Sequence, residues 1–150
     1  MKIADATYLQ GAKIALLHAG QVVTYLRDDF AHIPNPNEWD LPGGVREAGE
    51  TALQCALRET QEEFGLDVAP DAVLHEATYW AEAAGALPRR EVAFFVAEIS
   101  ATLVETIQFG VEGQKWQMMP TQEFVSRLDA VKELQTNLAV YLGAPNEIQH

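Results

Sequence analysis

The strongest constraint in this chain is a set of glycines, glutamates and one arginine at fixed intervals. It begins Gly44-Val45-Arg46-Glu47-Ala48-Gly49-Glu50, skips seven residues, and resumes Arg58-Glu59-Thr60-Gln61-Glu62-Glu63-Phe64-Gly65-Leu66. Leu53, Ala56, Leu57, Thr60 and Phe64 recur three and four apart, which predicts a helix over Thr51–Phe64. Gly65 sits where a helix C-terminal glycine belongs. At ~100° per residue, Glu59 and Glu63 point within about 40° of each other, with Glu62 on the other flank of Glu59. Arg58 and Glu62 lie four apart and can pair along the surface. Glu59 and Glu63 then repel each other with no neighbouring cation on the same helix, at a cost of roughly 0.2–0.5 kcal/mol. A hard divalent cation, which takes carboxylate oxygens and keeps several waters, reconciles them.

Two glutamates on a helix ordinarily mark a solvated face. Here they belong to seven matches (Gly44, Glu50, Arg58, Glu59, Glu62, Glu63, Gly65) whose chance probability is on the order of 10⁻⁹ per starting register at average residue frequencies. The pattern resembles the Nudix box, over Gly44–Leu66. One position departs: Thr60 stands where an aliphatic residue is usual, which touches local packing and leaves the acidic set intact.

The rest of the chain reads as strands and helices around that segment. Lys13–Leu17 and Val22–Leu26, separated by His18-Ala19-Gly20, form a β-hairpin. Ile33-Pro34-Asn35-Pro36-Asn37 is a loop, and Trp39-Asp40-Leu41 a short strand ended by Pro42-Gly43-Gly44. Further strands are expected at Val73–Trp80 and Val92–Ile99, the second apolar on both faces and so placed between layers. After a short strand at Trp116–Met119, Pro120 opens a helical end reaching Leu142. With no repeat, low-complexity tract or long linker, residues 1–150 are expected to form one domain of α/β (α+β) layered class.

Charge narrows the function. The chain carries 22 acidic against 10 basic residues, a formal −12. Extended nucleic-acid binding, which needs a basic surface, is disfavoured. A polyphosphate substrate would also be repelled unless a bound divalent cation intervened. The single Cys55 excludes an internal disulfide, and four dispersed histidines (18, 32, 75 and 150) suggest no zinc site. No signal-peptide pattern or membrane-spanning run is visible, so a cytoplasmic location without membrane attachment is expected.

The resemblance implies more. The fold would be the Nudix α/β/α sandwich with a mixed central sheet, and the reaction hydrolysis of a diphosphate linkage in a nucleoside diphosphate derivative. Glu59 and Glu63 would be the principal magnesium ligands, with manganese as the alternative ion. Glu62 would be a third ligand or an outer partner of Arg58, and the Gly43 carbonyl would complete the inner sphere. Glu50 and Arg58 would lock loop to helix. Val111-Glu112-Gly113-Gln114 is similar to a stretch carrying a further acid in MutT-like members. Glu112 therefore reads as a metal ligand or general base, or as an ordinary loop glutamate. The proton acceptor would be Glu59 or Glu112. On the substrate side stand Gly44 and three candidate phosphate contacts, Arg27, Arg89 and Arg90. Trp39, Tyr79, Trp80 and Trp116 read either as aromatics that stack on a base or, for most of them, as packing residues, and Cys55 reads as packing.

Signals of the ADP-ribose, dinucleoside-polyphosphate and NADH subfamilies are missing downstream of the box, where Ala81-Glu82-Ala83-Ala84 falls instead. Elimination leaves a MutT-like (deoxy)nucleoside triphosphate pyrophosphatase in the lead, with oxidised nucleotides such as 8-oxo-dGTP among its candidate substrates. The alternatives are a hydrolase of sugar-nucleotides, dinucleoside polyphosphates or RNA 5′ ends, an isomerase on the same fold, and a non-catalytic nucleotide-sensing module. A small-molecule nucleotide is the expected partner, to a monomer or homodimer.

Overall fold

A seven-stranded mixed sheet runs through the middle of the molecule, in a computed structural model that describes residues 2–148; Met1 and His150 lie outside the described residues. The strands are β1 (Gly11–His18), β2 (Gln21–Leu26), β3 (Trp39–Asp40), β4 (Gly43–Val45), β5 (Val73–Ala81), β6 (Arg90–Glu98) and β7 (Lys115–Pro120). The helices are α1 (Ala52–Phe64), α2 (Ala101–Glu105), α3 (Thr121–Ser126) and α4 (Lys132–Ile148). Strand order is β3-β2-β1-β6-β5, with β4 added to β1 and β7 to β2. β1 and β6 are parallel, and every other pairing is antiparallel.

Side-chain alternation divides the core into two layers. Ala12, Ile14 and Leu16 of β1 and Ala93, Phe95 and Ala97 of β6 face α1, whose Ala52, Cys55, Ala56 and Phe64 are fully buried. On the other face Ala15, Phe94 and Val96 meet Phe124 of α3 and Leu134 and Leu138 of α4. This is an α/β/α sandwich. β6 is apolar on both faces because helices cover it on both sides.

The ends of α1 are set by its sequence. Thr51 accepts from the Gln54 backbone while the Gln54 side chain accepts from the Thr51 backbone, a reciprocal capping box. Gly65 ends the helix with φ +66°, and its N–H donates to the Gln61 carbonyl. Phe64 anchors the last turn between Tyr25 and Phe109, at ring separations of 6.0 and 5.4 Å. Thr60 is buried and donates to the Ala56 carbonyl at 2.7 Å, so the hydroxyl is satisfied at the position where the family prefers an aliphatic side chain.

The structure differs from the sequence pattern in three places. The glycines after Pro42 continue into β4, pairing Gly43 with Lys13 and Gly44 with Ala12. The pairing is close enough that a Cβ on Gly43, at φ +140°, would overlap the Ala12 carbonyl and sit 2.7 Å from Lys13 Cα. α2 has five residues, too few for a periodicity, and is capped by Ser100, whose side chain accepts from the Leu103 N–H. α4 runs on to Ile148, beyond Leu142. No helix among the described residues is long and apolar enough to cross a membrane.

One buried ion cluster ties the hairpin to β3. Asp40, 3% exposed, accepts from Lys13 Nζ and Arg27 Nη1, each at 2.9 Å, from the Tyr25 hydroxyl at 3.2 Å and from the Leu41 N–H at 2.7 Å. Burial alone would raise its carboxyl pKa; Lys13 and Arg27 outweigh it and hold the group below the ordinary range. A carboxylate depressed in the folded state stabilises above its unfolded pKa, about 4, and that stability is lost as pH falls through the folded value. Asp40→Ala should therefore cost about 3 kcal/mol at neutral pH. In urea unfolding followed against pH, the gap between variant and parent should close in acid; a gap unchanged down to about pH 2 would refute this role.

Candidate active site

The two glycines of β4 and the last two turns of α1 face each other across one end of the sheet. The Gly43 N–H donates to Glu63 Oε1 at 3.0 Å. A Cβ on Gly44 would lie 2.5 Å from Glu59 Oε2, so the missing side chain is what gives that carboxylate its place. Both carboxylates stand between the core and a cleft of about 780 Å³.

The local electrostatics penalise that placement. Glu63 is pushed up to about 8, chiefly by burial and further by Glu59 and Asp40, against the opposing pull of Lys13 and the Gly43 N–H. Glu59 is also raised, by burial first and then by Glu62, with Arg58 pulling the other way. Two neighbouring carboxyls that resist ionisation, at the wall of a cleft, are hard oxygen donors short of positive charge.

Arg58 serves more partners than helix spacing alone suggested. Its Nε and Nη2 reach Glu50 at 2.6 and 3.1 Å, and Nη2 also donates to the Val45 carbonyl at 3.1 Å. Nη1 lies 3.1 Å from both Glu59 Oε1 and Glu62 Oε1. The expectation that Glu59 has no neighbouring cation on its helix is thus corrected: the guanidinium fans far enough to reach the adjacent residue as well as i+4. The strong hydrogen bonds to Glu50 raise the Arg58 pKa and lower that of Glu50. Glu62 is more than half exposed and turned toward Arg58. Among the described residues no three acidic, histidine or cysteine side chains converge into a preformed cage, so Glu59 and Glu63 form a pair rather than a triad.

The other sequence candidates separate. Glu112 lies on the segment after Phe109, which is hooked to the end of α1 by Gln108 N–H to the Phe64 carbonyl and Gly110 N–H to the Glu63 carbonyl, at 2.9 and 2.8 Å. It is exposed and borders both the main cleft and a smaller cavity shared with Glu59, Glu62 and Glu63. Arg27 lines the cleft while its guanidinium is held by Asp40 and, through Nε, by the Pro34 carbonyl at 2.8 Å. Arg90 lines the cleft; Arg89 does not, and stacks instead on exposed Trp80, 4.4 Å from the ring centroid. Successive residues entering a strand face opposite sides, which parts the two arginines.

Several cleft residues carried too little sequence signal. Lys13 is the third residue of the largely apolar β1, and its ammonium, bonded to Asp40 and the Leu41 carbonyl, lies close to the glutamate pair. Tyr79, one of the four aromatics read as base-stacking or packing, lines the cleft, and burial, with Asp40 and Glu133 nearby, raises its pKa. Val131, Glu133 and Leu134 enter from α4 and the turn before it. Cys55 is buried, with its thiol pushed up to about 11 chiefly by burial, an unreactive packing residue.

Comparison with known proteins agrees with this architecture. The NUDIX domain model matches residues 10–139. Among solved structures, the MutT protein from Methanosarcina mazei Go1 superposes with a TM-score of 0.71 at 14% identity, over 91% of this chain and 94% of that one. A C. elegans Ap4A hydrolase gives 0.66 at 23%, over 90% and 96%. The E. coli dihydroneopterin triphosphate pyrophosphohydrolase gives 0.62 at 17%, over 89% and 94%. No curated protein matches the sequence significantly. At such identities the superpositions establish the fold alone; it is the family model over most of the chain, set beside the Gly44–Leu66 segment, that shows the chain to belong to the Nudix family of pyrophosphohydrolases acting on nucleoside diphosphate derivatives.

Proposed function

We propose that the protein is a magnesium-dependent (deoxy)nucleoside triphosphate pyrophosphatase, releasing the nucleoside monophosphate and pyrophosphate. The observation that carries it is the Glu59–Glu63 pair, two carboxyls with raised pKa values at the wall of a cleft also lined by Lys13, Arg27 and Arg90. A −12 chain that admits a polyphosphate needs positive charge at the point of contact, and these residues fit a hard divalent ion.

Glu59 and Glu63 would hold magnesium, or manganese in its place, with the Gly43 carbonyl as a main-chain donor. When bound, the ion offsets phosphate charge and makes a coordinated water more acidic. Glu62 acts one step out, by fixing Arg58. The Glu50–Arg58 pair fastens the loop to α1 and so fixes the angle at which Glu59 meets Gly44. Lys13 and Arg90 meet phosphate oxygens, with Arg27 contributing field rather than a free guanidinium, and Gly44 lets substrate approach main chain. Glu112, exposed and without an ion-pair partner among the described residues, accepts the proton of the attacking water.

Two outcomes test this reading. Purified protein with magnesium should release pyrophosphate from at least one nucleoside triphosphate and lose that activity with chelator. Glu59→Gln or Glu63→Gln should lower kcat by at least about a hundredfold while thermal unfolding shows a folded protein. An inactive triphosphate panel, or full activity in both variants, would refute it. Glu112→Gln should lower kcat by about 10²–10⁴-fold with little change in the magnesium concentration for half-maximal rate; an unchanged kcat would return the proton to another carboxylate.

A further inference from the structure

Glu112 stands on a two-residue arch that does not hold itself. Val111 is 98% exposed, and neither it nor Glu112 makes a hydrogen bond among the described residues. Backbone left free in this way keeps its conformational entropy, so a carboxylate on it has a fixed place only if the ends of the arch are fastened.

Both ends are. At the near end the Gly110 N–H donates to the carbonyl of Glu63 itself, at 2.8 Å, and the arch with Glu59, Glu62 and Glu63 lines a cavity of about 190 Å³. At the far end the Gly113 N–H donates to Asp28 Oδ2 at 3.2 Å, and the Gln114 N–H to the Leu26 carbonyl at 2.8 Å. The Gln114 side chain then crosses to the loop between β2 and β3. Its Nε2 donates to the Arg27 carbonyl at 2.8 Å and to Asn37 Oδ1 at 2.9 Å, which uses both N–H donors of the amide. Asn37 is fixed in turn, its own N–H donating to the Asp28 carbonyl at 3.0 Å.

Shape and bonding divide the work at this end. Gly113 has φ +91°, and a Cβ there would stand 3.0 Å from the Leu26 carbonyl oxygen, the Tyr25 ring and the Phe109 ring. The segment therefore lies directly on the end of β2. Gln114 is exposed and belongs to neither core cluster, so its side chain contributes bonds rather than packing. It also lines neither the cleft nor the smaller cavity, so it acts only through the segment it fastens.

We propose that Gln114 is a positioning residue for Glu112, a clip on the far end of the arch that keeps the carboxylate at the cavity shared with Glu59 and Glu63. This rests on the reading of Glu112 as the proton acceptor and adds the residue that holds it in place. A misplacement of about 1 Å at a reacting group can cost up to a hundredfold in rate, so the clip bears on turnover more than on substrate binding.

Gln114→Met, which keeps the length of the side chain and removes both donors, tests this on the full chain. The kcat for pyrophosphate release should fall about tenfold, with KM, the magnesium concentration for half-maximal rate and the thermal unfolding midpoint close to the parent's. In a Glu112→Gln background the same change should cost less than about twofold, because the group it positions is already gone. Amide hydrogen exchange reads the clip without turnover: Gly113 and Gln114 should exchange faster in Gln114→Met, while α1 and β2 keep the parent's protection. Unchanged exchange, an effect confined to KM, or a tenfold loss that persists in the Glu112→Gln background would overturn the proposal. Slow turnover in Glu112→Gln with full turnover in Gln114→Met would uphold the acceptor and overturn the positioning. Faster exchange in Gln114→Met with full turnover in Glu112→Gln would uphold the clip and refute the acceptor.

Discussion

The contact on which the rest depends is the approach of α1 to the two glycines of β4. β4 can lie against β1 because Gly43 has no Cβ to strike the Ala12 carbonyl, and Glu59 can lie over β4 because Gly44 has none to strike its carboxylate. A larger residue at position 43 would push β4 off β1, and one at position 44 would displace the Glu59 carboxylate. Phe64 fixes the same helix from the core side, and Arg58 with Glu50 fixes it from the solvent side. The carboxylates are thus held in a partly desolvated place that they would not choose for themselves, the arrangement the proposed cation site requires.

This arrangement also resolves a difficulty posed by charge. The surface as a whole repels polyphosphate, yet the floor of the cleft is not uniformly acidic. Asp40 balances Lys13 and Arg27, Arg58 is surrounded by glutamates, and among the described residues the Arg90 side chain is bonded only to carbonyls. Lys13, Arg27, Arg58 and Arg90 all border the cleft. A divalent ion on Glu59 and Glu63 would complete a positive path across an otherwise negative molecule.

Much of this was legible in the sequence, and unevenly so. α1 was readable to within one residue because its signals are local: an apolar stripe and a terminal glycine. The hairpin, β5, β6 and β7 were readable from composition and turns. β4 was not, because its two glycines look like a turn until β1 is laid beside them. The glutamates of the box were legible as a set, since their spacing is fixed by helix geometry. Lys13, Asp40, Tyr79 and Glu133 were not, because they come from four elements separated by up to 120 residues and are brought together only by sheet order. The parting of Arg89 from Arg90 needed the strand register. What a single element dictates can be read along the chain; what several elements assemble needs the fold.

The proposed chemistry requires the Glu59–Glu63 pair to hold a divalent ion. Crystals grown with manganese and measured at its absorption edge address this directly. An anomalous peak bridging the Glu59 and Glu63 carboxylates, about 2.0–2.3 Å from their oxygens, is the expected result. A cleft free of such a peak at saturating manganese, or a peak bound only elsewhere on the surface, would contradict it.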